Sequence, residues 1–172
     1  MIKITLKNVK HSEFASHETN CFQATVYVDG KPFCGAENSG QGGGDNYFPL
    51  KGGKHNELSK RIAEIDLNLL KELGEHDTIV SPFNSFSSPK KTFEYMVGDA
   101  LTEWLVSKDL KKLLAKRVVW VADGKLLQTQ AAKSTAIKDR WMNEIINEKT
   151  TDEVLNMLPF DKAISVYAEL TQ

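Results

Sequence analysis

Apolar and polar residues alternate from the start of the chain. Ile2, Ile4, Leu6 and Asn8 fall on one side of an extended backbone and Lys3, Thr5 and Lys7 on the other, which predicts a strand over 2–10. A polar connector, 11–20, follows. The next alternating run, 21–28, puts Phe22, Ala24, Val26 and Val28 on one face and ends at Asp29-Gly30, a favoured type I′ hairpin turn. With those two residues at its centre, Val28 pairs with Lys31 and Val26 with Phe33. Phe33 then joins the apolar face, and Pro32 needs a sheet edge or a non-bonded position.

Beyond Asn46 the period lengthens. Leu58, Ile62, Ile65, Leu69 and Leu73 recur at spacings of three and four, predicting an amphipathic helix that opens at His55 or Asn56 and stops at Gly74. Residues 79–88 read as a connector rich in serine and phenylalanine, with Ser88-Pro89 as N-cap and first position of the next helix. That helix carries Phe93, Val97, Ala100, Leu101 and Trp104 on one face, and Ser107 opens a further turn or two holding Leu110, Leu113 and Leu114. A second hairpin joins 118–122 to 125–130 through Asp123-Gly124. Both turns read Asp-Gly-Lys, but their flanks do not align as a repeat.

Ser134 caps a helix with Ile137, Trp141 and Ile145 at intervals of four. In the tail, 150–153 fits a capping box and 154–156 fits a short buried strand beside the second hairpin, the preferred reading. Pro159 ends that element, and Asp161 caps a final helix burying Ala163, Val166, Tyr167 and Leu170. The expected class is α+β: antiparallel hairpins packed with about four to five helices, an N-terminal sheet plus helix followed by a β-β-α-β-α-like unit. A chain of 172 residues suits one domain, 1–172, subdivided into 1–88 and 89–172.

Composition narrows the function classes. Lys plus Arg number 22 and Asp plus Glu 23, so no global field attracts nucleic acid, and the basic run 108–117 reads as a solvated helix face. The opening residues lack a signal-peptide pattern and no apolar run reaches bilayer length, so a cytoplasmic protein with no membrane partner is expected. Two cysteines, Cys21 and Cys34, are too few for a disulfide scaffold and read as free thiols.

The segment 39–46 contains Gly40, Gly42, Gly43 and Gly44, four glycines in five residues, where no packed element is expected. Its backbone N–H groups offer a nest for an anion, with Lys51 or Lys54 supplying charge. The chain continues into Asp45, Asn46, Tyr47 and Phe48 rather than into the Lys-Ser or Lys-Thr and helix of a phosphate-binding loop. A mobile loop is therefore expected, ordering when Tyr47 and Phe48 anchor a partner; the alternative is that both rings pack back onto the sheet. His11, His17, His55 and His76 show no metal-ligand spacing, so neither metal nor cofactor is expected. Ser81, Ser85, Ser87 and Ser88 form no nucleophile elbow. Asp99 and Glu103 read as solvated acids, and Trp104, Trp120 and Trp141 as core.

The stretch Val118-Val119-Trp120-Val121-Ala122-Asp123-Gly124-Lys125-Leu126-Leu127-Gln128-Thr129, with Leu155-Asn156-Met157-Leu158-Pro159-Phe160 and the two N-terminal strands, resembles small uncharacterised proteins of bacteriophages and mobile elements. The resemblance implies an accessory role in a bacterial cell and brings no catalytic residues. The expected function is non-enzymatic binding of a host or phage protein, including one of a host defence system. The alternatives are a small-ligand or nucleotide-binding module built on 40–44, and third, a hydrolase or thiol enzyme using Cys21 or Cys34.

Overall fold

The structure, a computed structural model, describes residues 2–73, 79–81, 84–88, 92–148 and 151–171. Gly74, His76, Phe83, Pro89 and Thr150 lie outside the described residues. The α+β class expected from the patterning is present: a four-stranded antiparallel sheet, then helices and a second small sheet. The molecule divides into two compact units, Met1–Val80 with Phe86–Leu101, and Ser81–Ser85 with Thr102–Gln172.

In the first unit, β1 (Ile4–Ser12), β2 (Cys21–Val28), β3 (Lys31–Asn38) and β4 (Asn46–Pro49) pair in chain order. Asp29 and Gly30 take φ of 49° and 78°, the left-handed pair of a type I′ turn, and Val28 faces Lys31 as expected. Val26, however, faces Cys34. A bulge lies between, because Tyr27 pairs with Pro32 and Phe33 is left as the extra residue. Phe33 is buried all the same. Pro32 lies beyond the reach of β4, which pairs only with Cys34 through Glu37.

A second bulge corrects the alternation of β1. Asn8 and Val9 oppose the single residue Ala24, and Asn8 adopts φ 55°, a conformation asparagine tolerates. His11, not Lys10, then takes the position opposite Phe22, and the strand extends to Ser12, into the stretch expected to be a connector.

Helix α1 (His55–Leu73) buries Leu58, Ile65 and Leu69 and packs on β4. The region expected to be a plain connector contains two short paired strands, β5 (Ile79–Ser81) and β6 (Asn84–Ser88). Ser88 therefore ends a strand, and the helix expected after it opens at Phe93. Helix α2 (Phe93–Lys116) is capped by Thr92, whose Oγ1 accepts the Tyr95 N–H at 3.2 Å, while Asp66 on α1 accepts the Phe93 N–H at 2.6 Å. No break occurs at Ser107: the helix runs on to Lys116, since neither glycine nor proline interrupts 99–116.

The second unit is the hairpin-helix-strand-helix arrangement expected. Strands β7 (Val119–Ala122) and β8 (Lys125–Gln128) turn at Asp123 and Gly124, with φ of 49° and 68°. Helix α3 (Thr135–Ile146) follows, with Ser134 Oγ accepting the Ile137 N–H. Strand β9 (Glu153–Val154) joins the far side of β7, giving the order β8-β7-β9. The strand expected over 154–156 stops at Val154, because Leu155–Met157 forms a single 3-10 turn. Asn156 in that turn accepts the Val119 N–H at 2.7 Å and donates to the carbonyls of Leu114 and Arg117. One side chain thus ties the end of α2 to the start of β7.

Helix α4 (Phe160–Thr171) starts a residue earlier than expected. The Pro159 carbonyl accepts the N–H groups of Lys162 and Ala163, and Asp161 sits in the first turn, where its charge suits the helix N-terminus. Ala163, Ile164 and Ala168 are the buried residues, Val166 and Tyr167 are partly buried, and Leu170 is exposed. The unit's larger core joins Leu110, Val119, Val121, Leu155, Ala163 and Ile164, and a smaller one joins Val118, Ile145 and Val154.

Candidate functional site

The glycine-rich segment is tied down around one buried polar side chain, Asn38, at the end of β3. Its Oδ1 accepts from the Thr19 hydroxyl at 2.7 Å and from the Gly40 N–H at 2.9 Å. Its Nδ2 donates to Asp45 Oδ1 at 3.0 Å and to the Gly43 carbonyl at 3.3 Å. The Gly40 carbonyl accepts the N–H groups of His17 and Glu18, and the Gly42 N–H reaches Thr19 Oγ1. A buried amide whose donors and acceptors are all used fixes the chain passing around it.

Gly40, Gly42 and Gly43 have φ of 82°, 91° and 85°, so these glycines serve the path of the loop. As expected, neither helix nor strand forms over 39–45, yet the segment is hydrogen-bonded, and the chain enters β4 at Asn46. Asp45 bridges the two ends of this arrangement. Its N–H donates to Glu94 Oε1 at 3.2 Å and its Oδ2 accepts from the Tyr47 hydroxyl at 3.4 Å. Burial pushes the Asp45 carboxyl up and the Glu94 carboxylate adds to the shift, opposed by the hydrogen bonds from Asn38 and Tyr47. Burial likewise raises the Tyr47 phenol, with the charges of Asp45 and Glu94 behind it.

The backbone expected to form an anion nest is partly engaged. The amides of Gly40, Gly42 and Asp45 are engaged inside the protein, and the carboxylates of Glu18 and Glu94 crowd Gly42 and Gly44. A phosphate brought here meets negative charge. Nor do the loop aromatics project as anchors. Tyr47 packs edge-on against Phe93 at 5.1 Å between ring centroids, and Phe48 covers Gly35 on the opposite face so closely that a methyl there would strike its ring. Both rings pack back onto the sheet. Lys54 pairs with Glu57 at 3.8 Å, at the start of α1.

The open surface of this unit lies elsewhere. Arg61, exposed on α1, stacks its guanidinium 4.5 Å over the ring of Phe33, which leans on Phe93 at 5.3 Å. Two grooves meet at this stack and share Pro32, Phe33 and Arg61. One, of about 410 Å³, runs between the first hairpin and α1 past Lys31 and Glu64; the other, of about 220 Å³, runs towards Pro49 and Lys54.

No protein-family model, curated protein or solved structure matches this chain. Its chemistry therefore rests on the residues themselves. Among the described residues no three His, Cys, Asp or Glu side chains gather as a metal site, and no helix is long and apolar enough to cross a membrane. His11 Nε2 lies 3.4 Å from Asn20 Oδ1, and His17 is exposed. Both cysteines are free, Cys34 fully buried and Cys21 partly so. Burial pushes the Cys34 thiol up to about 12, with the nearby Arg61 charge opposing.

A thiol held that far above neutral pH stays protonated and is not a nucleophile. Iodoacetamide at neutral pH is expected to modify Cys21 alone in the folded protein, with Cys34 reacting only after unfolding; mass mapping of the alkylated peptides checks this. Sequence reasoning placed Phe33 in the sheet and passed over Arg61. Their meeting depends on the bulge at Phe33 and on the face α1 turns towards it, which neither residue signals alone.

Proposed function

We propose that this protein is a non-enzymatic accessory protein of a bacteriophage or mobile element that acts by binding a host or phage protein, with a host defence component as the partner such a role suggests. The observation that carries the reading is the Arg61–Phe33 stack at the junction of two open grooves. Arginine and large aromatics dominate the energetics of protein interfaces, because a guanidinium already stacked on a ring loses little freedom on docking. Mixed charge around an apolar floor, here Lys31, Glu57 and Glu64 around Phe33, is the ordinary make-up of such surfaces.

The test is affinity capture from bacterial lysate with the wild-type protein and Arg61→Glu in parallel. Arg61 is exposed, so the variant is expected to keep its melting temperature while losing at least one protein that the wild type retains. Capture of nothing above background, or equal capture by both proteins, counts against the reading.

A further inference from the structure

We infer that the groove between β7 and α3 in the second unit receives an arginine side chain presented by a partner protein. This site is separate from the Phe33–Arg61 surface and does not depend on it. The groove measures about 370 Å³, towards the small end of ligand-pocket sizes. Half-buried Trp120 and Trp141 line it with buried Ile145, and exposed Glu144, on α3, and Glu148, just beyond its C-terminal end, stand beside them. No lysine or arginine lines it.

Four aromatic rings elsewhere among the described residues already hold a cation. Tyr27, Phe33, Trp104 and Phe160 each carry a cation of the protein itself, from Lys7, Arg61, Lys108 and Lys111 at 4.3 to 4.9 Å. Among the described residues Trp120 and Trp141 carry none, although tryptophan offers the strongest face to a cation and two carboxylates stand beside these rings. The arginines nearest these rings in the sequence are committed or weakly held. Arg117 donates to the Thr129 carbonyl at 3.1 Å, and Arg140 meets Glu144 at 3.6 Å in an exposed pair that a stronger ligand displaces.

Indole faces beside carboxylates select a planar cation on an apolar stem. Guanidinium stacks on the rings while its edge donates a fork of hydrogen bonds to a carboxylate, which a compact ammonium does less well.

The three tryptophans supply the readout, Trp104 serving as internal reference. The indole N–H signals of the full chain are followed by NMR during titration with N-acetylarginine amide, and with the citrulline analogue as its neutral isostere. The signals of Trp120 and Trp141 are expected to shift saturably with the arginine probe and not with citrulline, while Trp104 stays fixed. Glu144→Gln with Glu148→Gln, both exposed, is expected to leave the melting temperature unchanged and weaken the binding roughly tenfold. Absence of a saturable shift in the wild type, equal shifts with citrulline, or undiminished affinity in a folded double variant each overturns the assignment.

Discussion

Replacing Gly40 with alanine is expected to destabilise the protein by about 3 kcal/mol, more than any other single glycine in the loop. Two costs combine. The φ of 82° forces an L-residue into the left-handed region, at about 1–2 kcal/mol. A methyl at this position also strikes the backbone carbonyl of Ala15 and lies 2.8 Å from Cys21 Cβ, neither of which is the free end of a flexible side chain. Relieving that clash moves the Gly40 carbonyl away from the His17 and Glu18 N–H groups, and each orphaned group adds about 1–3 kcal/mol if it stays dry. Gly43 is the control. Its φ of 85° is equally left-handed, but nothing lies within 4 Å of an added methyl, so Gly43→Ala carries only the conformational cost. Thermal unfolding is expected to separate the two variants, with Gly40→Ala lower in Tm by roughly 6–12 °C than wild type. Equal, small shifts would mean that the loop is not held against the 13–20 turn.

Phe93→Ala is expected to cost about 3–5 kcal/mol, the range for emptying a fully buried aromatic site. Phe93 is 1 % exposed and packs against both Phe33 and Tyr47. Its loss removes the backing of the Phe33 ring that carries Arg61, and frees Tyr47 from the face that aims its hydroxyl at Asp45. The variant therefore links stability to the proposed recognition surface. Urea unfolding is expected to show a lower midpoint with an unchanged slope, and capture of the Arg61-dependent partner is expected to weaken. Phe93→Leu fills most of the volume and restores most of both. A midpoint unchanged by Phe93→Ala would show that the ring is not part of a packed core.

The candidate site was legible only in part. The glycine run marked a segment where the backbone takes unusual conformations, and three of its four glycines do have positive φ. The hydrogen bonds that hold it were not legible, because Asn38 is an unremarkable residue in the sequence, three positions after Gly35 at the end of a strand. Nothing local states that its amide is buried with Thr19 and Asp45 as partners, 19 and 7 residues away. Trp120 and Trp141 were read as core from helical and strand spacing, which reports the side of an element and not whether that side is fully covered. Both are only half-buried.

The strands of the two hairpins, the helices and the two Asp-Gly turns follow from the sequence because each depends on neighbours within a few positions: alternation for a pleated strand, spacings of three and four for a helical stripe, an aspartate and a glycine for paired left-handed φ. The bulges at Asn8 and Phe33, the unbroken α2, and the settling of the glycine segment around Asn38 were decided only in the tertiary structure. Each of these answers to a partner brought in from another element. A strand slips where two faces must both be satisfied, a helix continues when its next turn finds a core to bury against, and a glycine loop is held when a distant side chain uses its amides.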